Sequence, residues 1–113
     1  MLKISFALII ALHGFIHFMG FAKAFRYGNI TQITKQVSKP EGICWFITAC
    51  LFIVALALLL VNKEWWTIVA IAAIILSQIL IVTVWSDAKF GTIANIIILG
   101  VIIYYQLKYA SSN

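Results

Sequence analysis

The sequence predicts an all-α, polytopic membrane protein, an antiparallel bundle of four transmembrane helices. Of its 113 residues, 65% are hydrophobic and 10% charged, whereas soluble domains are about half apolar and a quarter charged. The mean hydropathy is +1.11. Four apolar segments are long enough, or nearly so, to cross a hydrocarbon core about 30 Å thick; they are 4–22, 43–61, 65–85 and 93–107. We therefore expect a single transmembrane domain over 1–113.

The first helix is predicted over residues 2–27. Its apolar run continues through His13 and His17 to Gly20 with no A-x-A-like cleavage site, and bulky Phe18 and Met19 lie where small residues would be needed, so we expect a retained helix rather than a secretory signal. Gly28 follows Arg26, a pattern typical of the residue just outside a helix C-terminus.

The polar segment 29–37 connects the first and second helices. Ile30, Ile33 and Val37 recur in it at offsets of three and four, which is compatible with a short amphipathic helix on the membrane surface. An ordinary polar loop explains the segment equally well, and the sequence leaves both interpretations open.

The second helix is predicted over 39–61. Ser38 and Glu41 match the S-x-x-E pattern of a capping box, in which the Ser oxygen and the Glu carboxylate bind free backbone amides. Pro40 falls in the first turn, where a missing amide hydrogen costs little.

The third and fourth helices are predicted over 64–86 and 92–109. A short polar turn precedes the third helix, and Trp65 and Trp66 are placed at interface depth as anchors. Thr92 is the expected N-cap of the fourth helix.

The distribution of cations predicts the orientation in the membrane. The first and third connections carry five of the eight Lys and Arg residues, a modest excess that predicts these loops to be cytoplasmic. The five are Lys23, Arg26, Lys35, Lys39 and Lys89; the other three are Lys3, Lys63 and Lys108. Because these cations form no basic face, the net charge of +5 does not indicate nucleic-acid binding.

Two histidines in the first helix are the strongest indication of a functional site. His13 and His17 lie one helical turn apart in a run with no charge after Lys3. In hydrocarbon an imidazole must face a partner, a cavity or another helix. We therefore expect both rings to face the interior of the bundle.

Each helix offers a polar group at a similar depth. Counting from the span midpoints at about 1.5 Å per residue, His17, Thr48, Gln78 and Asn95 fall within about one helical turn of one another. We expect these residues to surround a small pocket together with His13. Trp45 and Trp85 are expected above the pocket, and Asp87 at its mouth.

Several kinds of site can be considered for the two histidines and the other polar residues of the spans. Polar residues that only hold helices together explain the pattern about equally well. Two histidines four apart on one helix point the same way, so within one monomer they cannot clamp one haem from both sides; a haem at a dimer interface or with a single His ligand stays open. The two histidines are only a partial zinc ligand set, because the spans contain no Asp or Glu. The chain also lacks G-x-S-x-G and C-x-x-C motifs and paired carboxylates, so no catalytic residue, metal site or cofactor is assigned.

Two blocks carry a resemblance to a known group. HGFIHFMGFAKAF (13–25) and SQIL (77–80) followed by WSDAKFGTIAN (85–95) resemble uncharacterised small bacterial four-helix membrane proteins, loosely similar to the DoxX-like family. The resemblance implies a compact four-helix bundle in the bacterial inner membrane. Some DoxX-like proteins are associated with redox chemistry at the quinone level, which implies a quinone-like ligand.

The sequence hypothesis is a binding or interaction module for a lipophilic ligand, such as a quinone, in a polar pocket around His17. The first alternative is a structural or accessory subunit of a membrane complex without a ligand. The second is a small dimeric transporter, disfavoured because the first helix lacks the carboxylate that proton-coupled cation exporters need. The expected partners are the lipid bilayer, the ligand, and a second copy or another membrane subunit.

Overall fold

The computed structural model describes residues 2–29, 31, 33, 34 and 36–112, and contains five helices and no strand within these residues. The helices are α1 (Leu2–Phe25), α2 (Lys39–Leu60), α3 (Trp66–Thr83), α4 (Trp85–Ala88) and α5 (Gly91–Ser112). Four of them, all except α4, are long and apolar enough to cross a membrane. The predicted all-α class and the four long apolar helices are therefore confirmed.

The C-terminus of α1 lies two residues before the predicted end. Arg26 adopts a left-handed conformation with φ 59°. The Tyr27 amide donates to the Ala22 carbonyl at 2.8 Å, and the Arg26 amide to the Lys23 carbonyl at 3.4 Å. This is a Schellman motif, which satisfies carbonyls at the helix end. Gly28, with φ 84°, extends the turn but is not the residue that ends the helix.

The described residues of the connection between α1 and α2 form no helix. Ile33 and Val37 are both buried, in a cluster that includes Trp45 and Val84. The apolar side chains thus pack against protein, as in the loop interpretation; Ile30 lies outside the described residues. Thr34 fixes the loop, because its amide and hydroxyl both donate to the Asp87 carboxylate, each at 2.9 Å.

The start of α2 confirms the predicted capping box. Ser38 accepts a hydrogen bond from the Glu41 amide, and the Glu41 carboxylate accepts one from the Ser38 amide. Pro40 occupies the first turn, also as predicted. At the other end, Asn62 adopts φ 61° and the Lys63 amide donates to the Leu58 carbonyl at 2.8 Å, a second Schellman motif.

The third predicted helix is divided into α3 and α4. Val84 leaves the helical conformation, with φ −127° and ψ 42°, and α4 follows directly. The four residues 81–84 are all β-branched, which lowers helix propensity. The Thr83 hydroxyl also donates to the Leu80 carbonyl at 2.5 Å. Asp87, predicted in a loop, therefore lies in α4.

The core consists of two apolar clusters. One contains eleven buried residues from α1, α2, α3 and α5, including Phe6, Phe52 and Trp66. The other contains Trp45, Leu80 and the loop residues Ile33 and Val37. Along each of the four long helices, buried polar side chains separate the residues of the first cluster from the α4 end of the molecule.

Two glycines allow α1 to approach α2 closely. A Cβ on Gly20 would overlap the Trp45 ring, and a Cβ on Gly14 would lie 2.9 Å from the Phe52 Cβ. A side chain at either position would therefore push the helices apart.

We predict that Gly20→Ala lowers the free energy of unfolding by about 1–3 kcal/mol, because the added methyl group overpacks the contact with Trp45. Thermal unfolding in a neutral detergent measures the change. Gly100→Ala is the matched control, since nothing lies within 4 Å of its added Cβ. Equal stability of Gly20→Ala and wild type would contradict this account of the α1 and α2 contact.

Candidate functional site

The predicted histidines are buried in the interior of the molecule. His13 is 5% exposed and His17 1% exposed. Their ring centroids lie 4.7 Å apart, with the planes perpendicular. Both imidazoles therefore face other helices rather than the outer surface.

Two aromatic rings of α2 hold the imidazoles in place. The His17 centroid lies 5.3 Å from Trp45 and 5.2 Å from Phe52, and the His13 centroid lies 5.0 Å from Phe52. Gly91, at the start of α5, approaches from another side, and a Cβ there would lie 3.6 Å from His13 Cε1. Aromatic side chains and a glycine thus form the packing around the two rings.

A chain of hydrogen bonds connects α1, α3 and α5. His13 Nε2 lies 2.8 Å from Asn95 Oδ1, and His17 Nε2 lies 2.7 Å from Ser77 Oγ. Asn95 Nδ2 donates to Ser77 Oγ at 3.0 Å and to Gln78 Oε1 at 3.1 Å. We refer to His13, His17, Ser77, Gln78, Thr92 and Asn95 as the polar layer.

The hydrogen bonds define a consistent set of donors. Asn95 Oδ1 is an acceptor, so His13 donates from Nε2; His17 donates from Nδ1 to the His13 carbonyl at 2.7 Å. His17 Nε2 then accepts from the Ser77 hydroxyl, whose oxygen accepts from Asn95. These four hydrogen bonds require no positive charge on either imidazole.

The amide of Gln78 extends the polar layer to the start of α5. Its Nε2 donates to the Thr92 hydroxyl at 3.0 Å. Thr92, expected to cap a helix, lies inside α5, which begins at Gly91. Its side chain thus connects two helices instead of capping one.

Thr48, Trp85 and Asp87 make contacts other than those expected from sequence. Thr48 is fully buried, but its hydroxyl donates to the Cys44 carbonyl of its own helix at 2.8 Å. Trp85 is 49% exposed and makes no ring contact with either imidazole. Asp87 holds the loop at Thr34. The structure brings His13, His17, Gln78, Asn95 and Trp45 together, whereas the Thr48 hydroxyl bonds within α2, and Trp85 and Asp87 belong to α4.

Sequence reasoning placed neither Ser77 nor Thr92 in the polar layer. Ser77 is fully buried and bonds to both His17 and Asn95. A signal was present, because Ala70, Ala73 and Ser77 form a stripe of small residues at offsets of three and four. Such a stripe is typical of a helix face that packs closely on its neighbours.

An apolar cavity of about 620 Å³ lies at the opposite end of the molecule from α4. Its walls include Phe6, Ile9, Trp66, Val101 and Tyr105, and we call it the Trp66 cavity. This volume is within the range of small-molecule sites, about 300–1,000 Å³. None of its described lining residues belongs to the polar layer.

The indole of Trp66 is the unusual group in this cavity. Trp66 is 2% exposed, and its Nε1 has no hydrogen-bond partner among the described residues. Phe6 and Tyr105 contact the ring edge-on, with centroids at 5.6 and 5.4 Å. Sequence reasoning treated Trp65 and Trp66 alike as interface anchors, but Trp65 is 68% exposed. An unpaired buried N–H costs free energy unless a ligand or water accepts from it.

Comparison with protein-family models, with curated proteins and with solved structures found no match to this chain. Within the described residues, no group of three or more His, Cys, Asp or Glu side chains is placed to hold a metal ion. The polar layer uses its hydrogen bonds between helices, whereas the Trp66 cavity has space and a mainly apolar lining.

We predict that Ser77→Ala lowers the free energy of unfolding by about 1–2 kcal/mol, because it removes the hydroxyl that joins His17 to Asn95. Chemical or thermal unfolding in detergent measures the loss. Thr48→Val is the control: it also removes a fully buried hydroxyl, but one that bonds within its own helix. An equal loss for both variants would contradict the proposed cross-link.

Proposed function

We propose that this chain is a multi-pass protein of the bacterial inner membrane, with four antiparallel spans and a place among the small DoxX-like four-helix proteins. The lengths and apolar composition of α1, α2, α3 and α5 support this proposal. Contacts between opposite helix ends support the antiparallel order. Lys3 near the start of α1 donates to Asn62 just after α2, and Gln106 late in α5 donates to Thr67 early in α3 at 2.9 Å.

We predict that the connection between α1 and α2 is cytoplasmic, because most cations lie on that side. In a background with Cys44 and Cys50 replaced by Ser, a membrane-impermeant maleimide added to intact cells should label Lys63→Cys but not Gln36→Cys. Both cysteines should react after the cells are opened, which serves as the control. The reverse pattern in intact cells would overturn the orientation, and partial labelling of both would indicate dual insertion.

The proposed function is the binding of a lipophilic ligand in the Trp66 cavity. The observation that carries it is the apolar cavity of about 620 Å³, whose described lining includes Trp66 and Val101 and no residue of the polar layer. A ligand with an apolar body fits such a cavity; a quinone and an acyl lipid each have one. This proposal moves the ligand away from His17, because the polar groups there bond to one another.

A structural or accessory role in a membrane complex is the second candidate. The closed set of hydrogen bonds in the polar layer favours it, because such a layer fixes the relative positions of α1, α3 and α5 without any ligand. Under this candidate the Trp66 cavity is filled by nonspecific lipid chains. The two candidates differ in whether binding at the cavity is saturable.

We predict that a chain-brominated octadecanol, a neutral lipophilic probe, quenches tryptophan fluorescence saturably in purified protein in a neutral detergent. Val101→Phe should abolish the saturable component, because the larger ring fills the Trp66 cavity. Ile103→Phe is the control, on the same helix but 51% exposed. Quenching that never saturates, or that is equal in both variants, would sink the ligand-binding proposal and favour the structural role.

A further inference from the structure

A second cavity, of about 410 Å³, lies at the other end of the molecule from the Trp66 cavity, where α1 ends and the connection to α2 begins. We call it the Arg26 pocket. Its volume is within the range of small-molecule sites. None of its described lining side chains is acidic or apolar; the lining residues are Lys23, Arg26, Gly28, Asn29, Thr34 and Gln36. Such a lining suits a polar anion, unlike the lining of the Trp66 cavity.

Arg26 is the cation available to a ligand in this pocket. It is exposed, and its guanidinium makes no hydrogen bond or ion pair with a described residue. Lys23 already has another interaction within the protein, and the Thr34 hydroxyl donates to the Asp87 carboxylate, so neither is assigned to the ligand. A guanidinium presents five N–H donors in a planar fork that matches two oxygens of a phosphate. The anion is therefore assigned to Arg26.

Two side-chain amides in the lining supply further donors. Asn29 and Gln36 are both exposed, and neither side chain bonds to a described residue. Each amide nitrogen has two N–H groups. A phosphate has more acceptor oxygens than one guanidinium occupies, so the amides complete a set of donors around it.

The backbone conformation of Arg26 also indicates a role for its side chain. Its φ of 59° is uncommon for a residue with a Cβ, whereas glycine adopts it readily. The Schellman motif at the end of α1 requires this left-handed conformation but no particular side chain. The turn by itself would favour glycine at position 26, so the arginine is better explained by what its guanidinium binds.

The pocket lies beside an aromatic surface at the end of an apolar helix. The candidate span of α1 ends at Phe25, which places Arg26 just outside the hydrocarbon in the proposed topology, at the level of lipid head groups. Phe25 and Tyr27 flank Arg26 and stack with centroids 6.4 Å apart, and Phe21 lies 4.9 and 5.8 Å from them. Aromatic rings at this level pack well against the glycerol and upper chain regions of a lipid.

We infer that the Arg26 pocket binds a phosphate group. The guanidinium donates to two of its oxygens, and the amides of Asn29 and Gln36 donate to the others. Where the phosphate belongs to a phospholipid, the acyl chains lie against Phe21 and Tyr27. This site is separate from the Trp66 cavity and does not depend on the ligand proposed there.

The test compares two probes that differ only in the phosphate. Purified full-length protein in a neutral detergent is titrated by calorimetry with dihexanoyl phosphatidic acid and with dihexanoylglycerol. We expect saturable binding of the phosphatidic acid, about tenfold tighter than binding of the diglyceride, as for a bidentate charge-assisted contact that is partly exposed. Added salt should reduce this preference. Equal affinity for both probes, or no saturable binding of the phosphatidic acid, would overturn the inference.

An arginine variant separates binding from folding. Arg26→Gly should unfold at about the same temperature as wild type, because relief of the left-handed strain offsets the greater freedom of glycine in the unfolded chain. Its affinity for phosphatidic acid should fall about tenfold. Lys39→Gln is the matched control, an exposed cation at the same end of the molecule that does not line the pocket, and it should bind as wild type does. Unchanged binding by Arg26→Gly, or equal losses in both variants, would contradict the assignment.

Competition identifies the source of the phosphate, and a third variant identifies the place of binding. Displacement of phosphatidic acid by inorganic phosphate indicates that a free anion suffices, whereas no displacement indicates a lipid head group held together with its chains; both results support a phosphate site. Val101→Phe, which fills the Trp66 cavity, should leave the binding of phosphatidic acid unchanged. Loss of that binding in Val101→Phe would place the lipid in the Trp66 cavity, which would overturn this inference and leave the proposed function standing.

Discussion

The interior of this protein depends on the need of buried polar side chains to find hydrogen-bond partners on other helices. His13, His17, Ser77 and Asn95 are each 5% exposed or less. In surroundings without water, an unpaired donor or acceptor costs more than a hydrogen bond returns. The bonds from His17 to Ser77, and from Asn95 to both Ser77 and His13, therefore allow few relative positions of α1, α3 and α5. The glycines of α1 bring the aromatic rings of α2 against the same imidazoles.

The two ends of the molecule, on either side of the polar layer, have different structures. Near α4, the connection between α1 and α2 folds back, and Ile33 and Val37 pack against Trp45 while Thr34 bonds to Asp87. At the opposite end, α2 and α3 are joined by a short turn of residues 61–65. That end contains the Trp66 cavity, with lysines at its mouth. The hydrogen-bonded polar layer thus lies between the loop end of the molecule and the cavity that is proposed to bind a ligand.

Local signals in the sequence predicted most of the helix structure. The capping box of Ser38 and Glu41 was correct because all its partners lie within four residues. Other boundaries depended on competition between local preferences. Arg26 rather than Gly28 takes the left-handed position at the end of α1, and the β-branched run before Val84 divides the third helix. The polar layer was predicted in part, since depth placed His17, Gln78 and Asn95 together but also included Thr48, whose hydroxyl bonds to its own helix.

The sequence by itself determined four long apolar helices and a pair of imidazoles turned inward, because composition and helical period act along a single chain. Only the tertiary structure decided which partners those imidazoles have and where a cavity lies. Trp65 and Trp66 are equivalent in sequence, yet one is exposed and the other buried, since neighbouring residues on a helix point about 100° apart. Which direction faces the interior is set by the packing of α3 against its neighbours, a property of the assembled helices that no single segment contains.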